Sequence, residues 1–194
     1  MKKSLSGWLL FFSVTVFSQT TIAKIRVNEK RIEERLSELA KFGKDSTGKS
    51  YRVAFSKADI QGRAYVMNVM KNAGLDVSID FAGNIIGKRK GKDASKKTIA
   101  FGSHIDMVPA GGNYDGCVGS LSAIEAIEIL NENKIITAHP LEVIIFSDEE
   151  GGTVGSRSLA GEMNNAAFDE ISNSGFTIGA GIKAIGGNPE RINE

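Results

Sequence analysis

The sequence predicts a single α/β domain whose sheet carries helices on both faces, and three observations lead there. Two apolar, β-branched runs, "KTIAFGS" (97–103) and "LEVIIFS" (141–147), have the near-continuous hydrophobicity of strands covered on both sides. A helical stretch from about Val118 to Asn131 separates them, and strand–helix–strand alternation is the pattern of a parallel sheet. At 194 residues the chain is long enough for one domain with a core and too short for two ordinary ones.

Taken in order, the first element is a leader. "MKKSLSGWLLFFSVTVFSQTTIA" places Lys2 and Lys3 before an apolar stretch from Trp8 to Phe17, then small and hydroxyl residues to Ala23. That is the three-part layout of a secretory signal, with an apolar core too short to span a bilayer comfortably. Residues 1–23 are therefore expected to be removed, leaving 24–194 as the working domain, secreted or periplasmic. Without Lys2 and Lys3 the charges balance at 22 basic to 23 acidic. Nothing in that balance recommends nucleic acid or an anionic membrane as a partner, and no stable membrane association is expected after cleavage. Cys117 is the single cysteine, so no internal disulfide can form.

The segment "VNEKRIEERLSELAKFG" (27–43) spaces Ile32, Leu36 and Leu39 for one face of a helix, with Asn28 as N-cap and Gly43 as stop. A polar loop follows, and Ser56-x-x-Asp59 imitates a capping box for a second helix that carries Val66, Met67, Met70 and Ala73 down one side to Gly74. In "LDVSIDFAGNIIGKRKG" (75–91), Val77, Ile79 and Phe81 alternate with polar residues before a turn at Gly83-Asn84, which predicts a hairpin with one solvated face. The basic run from Lys88 to Lys97 reads as a solvated loop. "GAGIKA" (179–184) fits a loose dinucleotide-binding pattern, but "SGFTI" before it is a poor strand, so the signal is weak.

The chemistry gathers at the ends of the two apolar strands. "GSHIDMVPAGGNYDG" (102–116) supplies His104, Asp106 and Asp115, and "SDEEGG" (147–152) supplies Asp148, Glu149 and Glu150. Singly, these read as a core histidine and a surface acidic turn. Together they set one imidazole and up to five carboxylates at the strands' carboxyl ends, the edge where open α/β sheets build sites. Crowded carboxylates are unfavourable unless cations neutralise them or some stay protonated. Nitrogen and carboxylate donors suit Zn²⁺, Mn²⁺ or Co²⁺, and the lack of ligating thiolates argues against a structural zinc site. A carboxylate can also bridge two metals held about 3.5–4 Å apart. Glu149 and Glu150 are expected to leave an extended backbone on opposite sides, one to ligate and one to reach a water.

"GSHIDMVPAGGNYDGCVG" followed by "HPLEVIIFSDEEGGTVGSRSLAG" resembles the M20 metallopeptidases, especially their amidohydrolase branch of N-carbamoyl-L-amino-acid hydrolases, β-ureidopropionases and allantoate amidohydrolases. "AFSKADIQGRAYVMNVMKNAGLDVSIDFAGNIIGKRKG" is similar to the segment that precedes the metal motifs in that branch, so the likeness spans residues 28–192. The resemblance implies a zinc-exopeptidase-like sheet and two divalent ions, Zn²⁺ or Mn²⁺ and also Co²⁺. It makes His104 a ligand of one metal, Asp115 the bridging carboxylate and Glu150 a ligand of the other. Asp106 becomes the carboxylate that orients His104, and Glu149 the general base that takes a proton from water and passes it to the departing nitrogen. His139, in an "HP" pair, takes no catalytic part. The implied reaction is hydrolysis of a linear amide or ureido C–N bond in a small-molecule substrate, with an aminopeptidase or carboxypeptidase of the same clan as the alternative. The family's longer chains add further histidines and a lid or dimerisation domain. The chain is thus expected to be the N-terminal part of an incomplete catalytic domain, inactive alone, with homodimers confined to the full-length form and a non-catalytic fragment as the other alternative.

Overall fold

Side chains at 28 and 56 start the first two helices. In the computed structural model, which describes residues 25–192, the Asn28 carboxamide accepts the Arg31 amide to open α1 (Glu29–Leu39). The Ser56 hydroxyl accepts the Asp59 amide to open α2 (Lys57–Asn72). Asp59 departs from a full capping box: its carboxylate takes the amide of Phe55, the residue before the cap, at 2.8 Å. The expected signal at 1–23 lies outside the described residues.

Four strands follow the predicted runs. They are β1 (Asp76–Ile79), β2 (Ile85–Arg89), β3 (Ile99–His104) and β4 (Leu141–Phe146), with α3 (Cys117–Glu132) between the last two. The spatial order is β1-β2-β4-β3, antiparallel at the first two junctions and parallel at the third. β3–α3–β4 is therefore the parallel unit the alternation predicts, with His104 opposite Phe146 at its carboxyl end. The hairpin differs from expectation in one respect. Ile85, Ile86 and Gly87 are all buried, because β4 pairs with the far edge of β2 and turns it into an interior strand.

Alternate residues of the sheet face the helices. Val143 and Ile145 of β4 and Ile85 of β2 join Val66 and Met70 of α2 and Leu121, Ile124 and Ile127 of α3 in the main core. Each such side chain, fully buried, contributes about 1.5–3 kcal/mol of apolar transfer. On the other face Ile86 and Ile144 are buried, while Ala100 and Gly102 of the edge strand β3 are exposed. A smaller core joins Phe55 to α4 (Val154–Leu159) and α5 (Ile178–Ala184) through Val154, Ile178 and Ile182. α5 holds "GAGIKA", so its glycines lie within a helix: Gly181 leaves room for the Phe55 ring, and no phosphate loop forms. Among the described residues no helix is long and apolar enough to cross a membrane.

α1 docks on α3 through charge. Arg31 gives a two-pronged bond to the buried Glu125, at 2.6 Å from Nε and 2.8 Å from Nη2, and Arg35 grips Glu128.

Candidate metal centre

β3 and β4 run parallel, so their carboxyl ends open on the same side of the sheet, and both loops that follow carry acids. The loop after β3 returns into α3, bringing Asp115 back towards the strand that ends in His104. Gly116 makes that return possible in two ways. Its φ of +63° is the left-handed region, and a Cβ there would stand 2.5 Å from Nε2 of His104. Any side chain at 116 would displace the imidazole. Ser120, one turn into α3, donates its hydroxyl to the His104 carbonyl at 2.8 Å and pins the strand end.

His104, Asp115 and Glu150 each offer one donor atom, and these atoms lie within 4.8 Å of one another. The histidine and Glu150 are half-buried and Asp115 is exposed. Burial raises the Glu150 carboxyl pKa, as do a hydrogen bond shared with the Asp115 carboxylate and the nearby charges of Asp115 and Asp106; His104 opposes them.

Asp106 is buried beneath this trio. His104 Nδ1 lies 3.1 Å from the Asp106 carbonyl and 3.7 Å from its Oδ1, so backbone and carboxylate both face that ring nitrogen and leave Nε2 for a ligand. The Asp106 Oδ2 accepts the Glu150 amide at 3.0 Å, tying the two loops together. Its Oδ1 is buried with no hydrogen-bond partner. That orphaned oxygen faces the imidazole, and the donor set around it is one nitrogen and two carboxylates. Both features fit a divalent cation.

The other carboxylates stand apart from the trio. Residues 147–152 form a turn and not the extended backbone expected, with Asp148 at φ +47°, so the separation of Glu149 from Glu150 comes from the turn. Glu149 is held by α4, where the Ser156 hydroxyl lies 2.8 and 3.0 Å from its two oxygens. Asp148 is buried, and its carboxyl is pushed up to about 7 by burial, then by the charges of Asp106, Asp59 and Glu149. His139 is far from this chemistry in role, its Nδ1 facing the Lys97 carbonyl at 2.8 Å.

Sequence reasoning singled out His104, Asp115 and Glu150, whose donor atoms the fold brings together, with Asp106 beside them and Glu149 apart, and it missed the residues that brace these loops. Asn84 is fully buried; its Oδ1 accepts the Ser147 amide and its amide nitrogen reaches Asp80 and the Gly155 carbonyl, so the hairpin turn clamps the loop after β4. The signal available for Asn84 was its place beside Gly83 in a turn, which hides the long-range role. Ser156 carried no signal.

A family model described as "Peptidase family M20/M25/M40" matches residues 100–189. The chain is 34% identical over 171 residues to an N-carbamoyl-L-amino acid amidohydrolase of Geobacillus stearothermophilus, covering 86% of this chain and 42% of the relative. It is 37% identical over 159 residues to a ureidoglycolate hydrolase of Oryza sativa subsp. japonica, covering 78% of this chain and 33% of that one. A crystal structure of a hydantoinase/carbamoylase family amidase from Burkholderia ambifaria superposes with a TM-score of 0.79 at 31% identity, over 84% of this chain and 42% of the other. The chain thus spans less than half the length of these relatives.

Proposed function

Since the chain belongs, through residues 100–189, to peptidase family M20/M25/M40, we propose that its site serves metal-dependent hydrolysis of linear amide or ureido C–N bonds in small molecules. The observation that carries this reading is the convergence of His104, Asp115 and Glu150 within 4.8 Å from two loops of the sheet. The relatives that act on N-carbamoyl-L-amino acids and on ureidoglycolate support the substrate class.

In this reading His104, Asp115 and Glu150 would hold the metal, Zn²⁺ or Mn²⁺, and the exposed Asp115 carboxylate would be shared if two ions bind. A divalent cation there supplies Lewis acidity, which polarises the substrate carbonyl and brings a water's pKa towards neutrality. Asp106 keeps the His104 ring turned so that Nε2 faces the site. Glu149 accepts the proton of the attacking water at a carboxylate oxygen and returns it to the departing nitrogen as the C–N bond breaks. Ser156 holds Glu149 for that transfer. The products are a carboxylic acid and an amine from an amide, and an amine with ammonia and carbon dioxide from a carbamoyl group. We place the protein in the periplasm or outside the cell on the strength of residues 1–23.

Among the described residues the trio offers three donors, and two ions need more, so turnover by the 194-residue chain alone is expected to be negligible. Metal binding is the deciding test: calorimetric titration with Zn²⁺ should give saturable binding that His104→Ala and Glu150→Gln each weaken at least tenfold. No saturable binding would remove the reading. A chimera joining residues 25–192 to the remainder of the Geobacillus relative tests the substrate class, by ammonia release from N-carbamoyl amino acids and ureido acids. Preference for dipeptides would favour the peptidase reading instead.

A further inference from the structure

Arg52 is the largest of the fully buried side chains, with 0% exposure, and among the described residues it makes no ion pair. Its guanidinium is spent on neutral acceptors. Nη1 donates to the Leu39 carbonyl at 2.8 Å, which also accepts the Phe42 amide, and to the Phe42 carbonyl at 3.3 Å just past the end of α1. Nε donates to the Ile105 carbonyl at 2.8 Å, and Nη2 to the Cys117 sulfur at 3.2 Å. The Arg52 carbonyl in turn accepts the Met107 amide at 3.1 Å.

These partners are not scattered. Ile105 sits between His104 and Asp106, and Cys117 comes two residues after Asp115. One rigid, planar fork therefore grips the segment that carries the histidine and the segment that carries the opposing carboxylate. Asp59 is the carboxylate whose charge Arg52 feels, but without contact; burying a cation with no carboxylate in contact is costly, and an apolar side chain could fill the same space. The cost is understandable where the distance between two ligand-bearing segments must be held.

We propose that Arg52 is a positioning residue for the metal centre, setting the separation of His104 and Asp115 through Ile105 and Cys117. This rests on the metal-site reading above. Lysine, a single point charge on a flexible stem, cannot span the acceptors. Gly62 on α2 offers an independent handle, because a Cβ there would stand 2.7 Å from the Arg52 Cδ. Gly62→Ala presses on the Arg52 stem without altering any residue that Arg52 bonds, and alanine favours the helix.

The test uses the 194-residue chain, Zn²⁺ as the probe, and circular dichroism to confirm folding. Arg52→Lys and Arg52→Met should lower Zn²⁺ affinity at least tenfold, the size seen when outer partners of ligands are lost; Gly62→Ala should lower it severalfold. A merely structural role would reduce the melting temperature and leave the affinity of the folded protein intact. Affinity within threefold of wild type in a folded Arg52→Lys protein overturns the proposal. If both Arg52 variants fail to fold, Gly62→Ala decides alone. If the wild-type chain binds no Zn²⁺, the metal reading fails on its own account, and amide hydrogen exchange decides this one. Gly62→Ala should then raise exchange at 103–107 and 116–120 together by tenfold or more, and a rise in only one segment, or in neither, overturns the coupling.

Discussion

Two regions of this molecule bury carboxylates, and they do so to opposite effect. Along the α1–α3 seam, burial of Glu125 works to raise its carboxyl pKa. The hydrogen bond from Arg31, the Asn28 amide and the charges of Arg31 and Arg35 outweigh burial, and the net shift is downward. At the tips of β3 and β4, burial raises Asp148 and Glu150, and neighbouring carboxylates reinforce it, with His104 alone opposing at Glu150. Burial pushes in the same direction in both places, and the sign of the result depends on what faces the group. The seam is neutralised from within. The strand tips pack carboxylate against carboxylate, which is the setting the proposed cation would relieve.

The sharpest way to test that contrast is to break the seam. Glu125→Ala should cost roughly 3 kcal/mol of folding stability, because it strips the partly buried Arg31 of its buried, two-pronged partner. A loss under about 1 kcal/mol in urea unfolding would mean that Glu128 and Glu132 replace it. Next in size is the strand tip: Zn²⁺ at about a hundred times its dissociation constant should raise stability by about 2.7 kcal/mol. Glu150→Gln, at the same Zn²⁺ concentration, should cut that gain to about 1.4 kcal/mol or less while changing the metal-free protein by under about 1 kcal/mol. Equal stabilisation of both proteins by Zn²⁺ would place the ion elsewhere.

The third effect is smaller and concerns pH. Asp59, behind the site, is raised from 3.8 to about 6, first by burial, with Arg63 opposing and Asp106 adding to the rise. The native state therefore keeps a proton that the unfolded chain has released. This contribution to stability is complete below the unfolded pKa and is lost as pH rises through about 6, by roughly 2 kcal/mol between pH 4 and 7. Asp59→Asn keeps an oxygen for the Phe55 amide and should flatten that part of the profile, measured as urea midpoints between pH 4 and 7. Smallest of all is Lys88→Ala, which removes an exposed pair with Glu142 at 3.5 Å and should change stability by about 0.5 kcal/mol or less. A larger loss there would mean that pairing matters more at the surface than in the seam.

By itself the sequence determined the helices with their caps at Asn28 and Ser56, the two apolar strands and the donors His104, Asp115 and Glu150. Those features depend on neighbours a few residues away, on periodicity, and on the scarcity of histidine. Tertiary structure alone decided which strands pair, and so buried β2 on both faces. It also turned Asp148 into the left-handed region, gave Glu149 to Ser156, and set Asn84 under the loop after β4. Arg31 finds Glu125 across 94 positions, and Arg52 finds Cys117 across 65. Contacts at that separation leave no mark on local pattern, because they arise only when packing has brought distant backbone together.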